Sequence, residues 1–368
     1  MRIKLINYKQ GNRVVSVAKN DAVKADLLQS GLDFLFIANS KAILYPTMEV
    51  LDIAQKEYAK LLSCNDYDVC TLWSDGTLYR CYDDSSLDNF FFVTSHCNSN
   101  CIMCPSPEFT RKKGESMRAE ELIEIARHIP DDTKHLTITG GEPFMIGKQI
   151  FDFIGFLSRK FYNTEFLILT NGRIFSITTY VELLKKTIPA NTTLGIPLHG
   201  STEAVHDAIT QTRGSFLQTT VGLRKLLCEK IKIELRLVVN RLNADDFYNL
   251  AKLIVNEFAE IDHVSIMAME MTGNAFVNKG SVWISYRESF EKIEQSILLL
   301  IKNGIDVRLF NFPLCTVKAK YWTLCEKSIS SDKIRYNSKC NDCVVRDACG
   351  GIFAGTYNME KDELVTQI

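Results

Sequence analysis

The stretch HCNSNCIMCPSP places cysteines at 97, 101 and 104, at offsets of four and three. Three thiolates so spaced, directly after the apolar run NFFFVT, are one ligand short of closing a tetrahedral zinc site or a four-iron cluster. A zinc site would draw its fourth ligand from close by. His96 stands next to Cys97 at a strand end, where adjacent side chains point to opposite faces. A cluster with one iron left open can instead bind a substrate or cofactor. A second group, Cys340, Cys343 and Cys349, lies in KCNDCVVRDACGG. Six of the twelve cysteines therefore sit in two tight groups, which in a long chain favours metal ligation over a disulfide framework. The other six (Cys64, Cys70, Cys81, Cys228, Cys315, Cys325) are scattered, and a lone cysteine is by default a small buried hydrophobe.

The chemistry of the first group depends on what stands beside it. TGGEP, Thr139 to Pro143, follows the next apolar run. Gly140 and Gly141 let a ligand approach the backbone, and Glu142 supplies an acceptor for a cation such as an ammonium. These motifs need a scaffold, and from about residue 88 apolar runs alternate with amphipathic stretches as in βα units with a parallel sheet. The expected strands are NFFFVT, HLTIT, EFLILT, TLGIPL, KIELRLVV and HVSIMAM, with VRLFN possible. Stretches such as KQIFDFIGFLSRKF and ADDFYNLAKLIVNEF, between them, carry apolar residues at helical spacing.

The expected fold is α/β. It is a partial (β/α)6 barrel of TIM type over 89–310, with a small β-rich N-terminal unit over 1–88 and a cysteine-rich C-terminal extension over 311–368. In such a barrel the residues just past each strand form the functional rim, which brings the cysteine loop and TGGEP to one side. Asn171 in TNG is a rim candidate or an ordinary turn residue. Glu234 and Arg236 share one parity on their strand, so Arg236 meets a ligand carboxylate in the lumen or forms an ion pair with Glu234. His199 and Ser201 contact ribose hydroxyls or cap the helix starting near Thr202. Met267 and Met269 pack an adenine or the core.

Composition narrows the partners. The formal net charge is −1 and no basic block stands out, so nucleic acid and anionic membrane are not expected. The longest apolar runs fall far below spanning length, and the start MRIKLINYKQGNR has no apolar core of a signal peptide. A cytoplasmic location is the expectation.

Together, CxxxCxxC and GGEP one βα unit later resemble the radical S-adenosylmethionine superfamily over roughly residues 88 to 310. The resemblance implies that Cys97, Cys101 and Cys104 hold a [4Fe-4S] cluster whose open iron is chelated by the methionine end of S-adenosylmethionine. Cleavage of that cofactor then gives a 5′-deoxyadenosyl radical that abstracts a substrate hydrogen. Under it Glu142 takes the ammonium with Thr139, Gly140 and Gly141 lining the same place, Arg236 takes the carboxylate, and Asn171, His199 and Ser201 complete the polar contacts. No catalytic residue beyond these is assigned, and the resemblance implies an external electron donor.

The run Cys340-x2-Cys343-x5-Cys349 resembles the SPASM-type auxiliary-cluster segment of peptide-modifying radical enzymes. Phe353 stands where that segment has a further cysteine. The departure implies one auxiliary [4Fe-4S] cluster with its fourth ligand from upstream, Cys315 in preference to Cys325, or a structural zinc held by the same thiolates. WSDGTLYRCYDDSSLDNFFFVTSHCNSNCIMCPSP, IPLHGSTEAVHDAI, VSIMAMEMTG and NFPLC are similar to the His-Xaa-Ser system radical SAM maturase of the C type. That implies a small precursor peptide or repeat protein as substrate and a companion radical enzyme. Two other readings stay open: a radical enzyme acting on a small molecule or nucleoside, and a zinc-stabilised binding protein without turnover.

Overall fold

The structure, a computed structural model, describes residues 1–38, 41–330, 332–361 and 364. The chain divides into two compact units: Met1–Thr94 with Ser116–Ile168 and Lys186–Thr192, and Ser95–Glu115 with Leu169–Lys185 and Thr193–Ile368. No helix among the described residues is long and apolar enough to cross a membrane.

The N-terminal sheet comprises β1 (Arg2–Lys4), β2 (Arg13–Ala18), β3 (Phe34–Ala38), β4 (Lys41–Tyr45), β5 (Glu49–Leu51), β6 (Val69–Leu72) and β7 (Thr77–Tyr82), in the order β1-β7-β6-β2-β3-β4-β5. Strand β2 runs parallel to β3 and antiparallel to β6. Its inward residues, Val15 and Val17, join Leu35, Leu44, Leu72 and Leu78 in a closed apolar cluster. Two helices flank these strands, Asp21–Ser30 and Gln55–Leu62. The second lies in the stretch VLDIAQKEYAKLL, whose first residues belong to β5.

The parallel strands that follow are β8 (Phe90–Phe92), β9 (His135–Thr139), β10 (Glu165–Leu169), β11 (Thr192–Pro197), β12 (Lys232–Val238), β13 (His263–Met267), β14 (Val307–Phe310) and β15 (Cys325–Glu326). Strands β8, β9 and β10 pair in parallel, as do β11 through β15. This curled parallel sheet with intervening helices is the expected α/β partial-barrel class. All six expected strands are present, and β14 and β15 extend the series. Cys325 begins β15 after the 3-10 helix Ala319–Leu324. In the C-terminal extension β16 (Ile334–Arg335) and β17 (Ile352–Phe353) pair antiparallel.

Alternation sets the register. On β12, Ile233, Leu235 and Leu237 are buried on one face, while Glu234 and Arg236 share the other. Helix ends are fixed locally: Thr202 accepts from Val205 N–H to start Glu203–Thr210, and Ser285 accepts from Glu288 N–H to start Tyr286–Lys302.

Candidate functional site

Residues 96–107 form no regular element, so their peptide groups need partners elsewhere. Asn100 and Ile102 donate to the carbonyls of Thr210 and Ile209 at the end of helix Glu203–Thr210, at 3.0 and 2.8 Å. Asn274, in helix Gly273–Val277, gives its backbone N–H to the Cys104 carbonyl at 2.9 Å and its side-chain amide to the Cys101 carbonyl at 3.1 Å. One turn on, Asn278 Nδ2 donates to the Ile102 carbonyl at 3.0 Å. Gly273, at φ +54°, permits the approach, because a Cβ there would stand 2.1 Å from the Pro105 carbonyl oxygen. The loop's Met103 is sealed among Ile209, Met269, Met271, Ala275 and Val282, which makes Met269 a core residue.

Two arginines hold the other side of the loop. Arg111, nearly buried, donates to the Ser99 carbonyl at 3.2 Å and to Asn100 Oδ1 at 2.6 Å. Arg173 Nη1 donates to the Asn98 carbonyl at 2.6 Å and to Ser99 Oγ at 2.9 Å. Asn171 joins them, with Nδ2 at 2.6 Å from Asn98 Oδ1 and 4.0 Å from Cys97 Sγ. Asn171 Oδ1 accepts from Arg173 N–H, so the TNG turn expected from the sequence and a contact to the cysteine loop are both present. Arg111, Arg173, Gly273, Asn274 and Asn278 were not singled out in the sequence. The i, i+4 pair of asparagines following a glycine was the available signal.

Burial, with the thiols of Cys104 and Cys97 beside it, pushes the Cys101 thiol up to about 12. A bound metal centre reverses that balance by favouring thiolate. Among the described residues no three His, Cys, Asp or Glu side chains converge as one metal ion requires. A cubane makes no such demand, since each thiolate reaches a different iron, and an all-sulfur donor set suits it.

TGGEP lies in the other unit and is described by itself. Gly140 passes so near Thr94 that a Cβ would lie 2.3 Å from its carbonyl oxygen, and Gly141 N–H donates to that oxygen at 2.7 Å. Thr139 ends β9, its carbonyl accepting from Val93 N–H. Glu142 is buried and its Oε1 accepts from Phe144 N–H at 3.2 Å, starting the 3-10 turn Pro143–Ile146.

Arg236 engages Glu234, with Nη1 3.0 Å from both carboxylate oxygens and Nη2 3.5 Å from Met267 Sδ. Gly195 makes room for this pair: a Cβ there would lie 3.0 Å from Arg236 Cδ. Ser201 bonds to Asp246 through both its N–H and its hydroxyl, each at 2.6 Å. His199 is buried past β11, its N–H donating to His206 Nδ1 at 3.1 Å and its carbonyl accepting from Asn243 Nδ2 at 3.0 Å.

Burial, then the neighbouring imidazole, lowers His199 to about 3; burial lowers His206 to about 4. Both folded-state values lie below the ordinary 6.5, so their stabilising contribution is complete above 6.5 and is lost as pH falls toward 4 and then 3. The thermal midpoint is therefore expected to drop between pH 7 and pH 5, and His206→Gln to flatten that dependence. A midpoint that does not change over this range would contradict the assignment.

In the C-terminal extension Cys315, Cys340, Cys343 and Cys349 line one small pocket with Pro313, Tyr336 and Arg346. Cys349 Sγ accepts from the N–H groups of Leu314 and Gly351, each at 3.4 Å. Arg287 holds the Cys315 carbonyl at 3.0 Å. Cys325 is not among that pocket's lining residues.

Residues 91–254 match the family model of the Radical SAM superfamily. That stretch is similar to the domain of this superfamily. No curated protein matches the sequence. Among solved structures, SuiB from Streptococcus suis bound to the precursor peptide SuiA is similar at a TM-score of 0.50 and 14% identity, over 60% of this chain and 48% of that one. SuiB bound to S-adenosylmethionine is similar at 0.49 and 16%, over 60% and 49%. A radical SAM methyltransferase from Sphaerobacter thermophilus is similar at 0.43 and 14%, over 79% and 81%. The chain thus spans about half the length of the SuiB structures, and the likeness is one of fold.

Proposed function

We propose that this radical SAM enzyme modifies a ribosomally made peptide, of the His-Xaa-Ser repeat type, by oxidative bond formation. The observation that carries the reading is the set of four cysteines, 315, 340, 343 and 349, lining one pocket in the unit that also bears the Cys97 loop. A second cluster there would accept the electron that a substrate radical must lose when a bond forms. SuiB, a protein of similar fold, is solved with a precursor peptide, which supports a peptide substrate.

Cys97, Cys101 and Cys104 are the residues that hold the cofactor-binding cluster. Bound there, S-adenosylmethionine would supply the chemistry of hydrogen-atom abstraction from the substrate. Glu142 accepts hydrogen bonds from the methionine ammonium, with Thr139, Gly140 and Gly141 lining the same place. Glu234 fixes the Arg236 guanidinium, whose remaining N–H groups serve the methionine carboxylate. His199, neutral at physiological pH, and Ser201 are assigned to the ribose end. Asn171, Arg111 and Arg173 act through the loop, by keeping the three cysteines in place.

The test supplies reduced enzyme with S-adenosylmethionine and a His-Xaa-Ser repeat protein, first without and then with a companion radical enzyme. The expected products are 5′-deoxyadenosine and a peptide about two mass units lighter per event, two hydrogens lost. Deoxyadenosine formation indifferent to the peptide, with no mass change, would point to a small-molecule substrate.

A further inference from the structure

The C-terminal extension ends against the segment that leads into the cysteine loop's main anchor. Residues 268–272, between β13 and helix Gly273–Val277, form no regular element, so their peptide groups need partners from elsewhere. Met271 N–H donates to Thr356 Oγ1 at 3.1 Å, and the Met269 carbonyl accepts from the Tyr286 hydroxyl at 3.0 Å. Gly355 lets the two stretches close up: a Cβ there would lie 3.0 Å from the Met271 carbonyl oxygen and 2.7 Å from Thr272 Cγ2. In the short helix Tyr357–Glu360, Glu360 Oε1 accepts from Tyr286 N–H at 2.9 Å, at the start of helix Tyr286–Lys302. Thr356 and Glu360 are both fully buried. Burying a carboxylate is costly, and an N–H of a helix's first turn offsets part of that cost. Met359, between them, packs against the apolar cluster that holds Met103 of the cysteine loop. Three residues beyond Met271 stands Asn274, which bonds the Cys101 and Cys104 carbonyls.

We propose that Thr356 and Glu360 are positioning residues for the cluster held by Cys97, Cys101 and Cys104. The inference rests on the function proposed above, in which those cysteines carry the cluster. Thr356 acts through Met271: it fixes the backbone just before helix Gly273–Val277, and with it the two donors that Asn274 gives to the loop. Glu360 acts through Tyr286, whose hydroxyl holds the Met269 carbonyl at the other end of the same segment. Met359 presses from that side on the cluster around Met103, which stands between Cys101 and Cys104 in the chain. Groups behind a metal ligand set its orientation, and here two of three ligands are set from the extension. The extension thus has a task apart from its own four cysteines: efficient cofactor cleavage at the loop requires its last turn to be seated.

The test uses the full chain purified with its iron, as the parent protein and as Thr356→Val, Thr356→Ser, Glu360→Leu and Glu360→Gln. Val17→Ala, a core truncation in the N-terminal sheet, is the control for lost stability alone. Amide exchange over residues 100–104 should quicken about tenfold in Thr356→Val and Glu360→Leu, with the strands of the N-terminal sheet unchanged. Iron content in these two should match the parent protein. Their dithionite-driven formation of 5′-deoxyadenosine should fall about fivefold in kcat. The electron paramagnetic resonance of the reduced cluster with S-adenosylmethionine bound should shift as well. Thr356→Ser and Glu360→Gln keep the accepting oxygen and should behave as the parent protein does. Thr356→Val is isosteric and decides the matter if Glu360→Leu does not fold. Parent-like exchange and turnover in folded Thr356→Val would overturn the proposal, and so would equal losses in Val17→Ala. Faster loop exchange in Thr356→Val, found with a parent protein that cleaves no S-adenosylmethionine, would support the clamp and count against the radical SAM reading alone.

Discussion

Replacing Cys97, Cys101 and Cys104 together by alanine is expected to remove about four irons per chain, one cubane, and to abolish 5′-deoxyadenosine formation. Under the proposed function the iron of the C-terminal extension should remain, because the cysteines proposed to hold it lie after residue 310. The loop itself should keep its shape. Its backbone is held by Asn274, Asn278, Arg111 and the carbonyls of Ile209 and Thr210, none of which depends on a thiol. The parent protein, purified without oxygen, should be brown with broad absorption near 400 nm, and the variant should keep the part of that absorption due to the extension. A colourless parent protein with bound zinc would sink the iron assignment. Unchanged cofactor cleavage in the triple variant would sink the role of the loop.

The same loop marks how far a sequence reading reaches. The strands were legible because burial imposes a period, and the triplet and TGGEP stand out because ligand chemistry restricts residue type and spacing within a short run. Strand β9 was read to the residue: HLTIT alternates and is followed by the two glycines that Thr94 demands. What holds the loop was not legible. Arg111, Arg173, Asn240, Asn274 and Asn278 are polar side chains bonding to backbone or to a methionine sulfur, contacts that leave no periodic trace. Helix Asp21–Ser30 was missed for a related reason. Only Val23 and Leu27 are buried along it, so it has almost no apolar stripe, and its start rests on Asn20 accepting from Val23 N–H. Arg236 shows a third limit. Parity put it on the face it shares with Glu234, and the ion pair between them is present. A period of two says which face a side chain takes and nothing about which partner it finds there.

The fourth ligand of the extension is where sequence and geometry can be separated most sharply. Cys315→Ala should lose the auxiliary cluster, as should Cys340→Ala, while Cys325→Ala should retain it. Cys315 follows Leu314 in a 3-10 turn, and its thiol lines the same pocket as Cys340, Cys343 and Cys349. Its backbone is anchored by Arg287, and the adjoining Leu314 N–H already donates to Cys349 Sγ. Cys325 is a near competitor, close enough for the charge of Cys349 to add to the burial that pushes its thiol up to about 12. It is tied down differently, in β15 opposite Leu309, with its Sγ directed to the Tyr321 carbonyl at 3.7 Å. Turning that thiol toward the pocket would break its contact with the Tyr321 carbonyl. Iron content and electron paramagnetic resonance of the reduced single variants decide the matter, with circular dichroism to confirm that each has folded. The loop cluster serves as an internal standard, since its signal should survive in all three. Retention of the auxiliary signal in Cys315→Ala with its loss in folded Cys325→Ala would reverse the assignment and require the extension to repack when the metal binds.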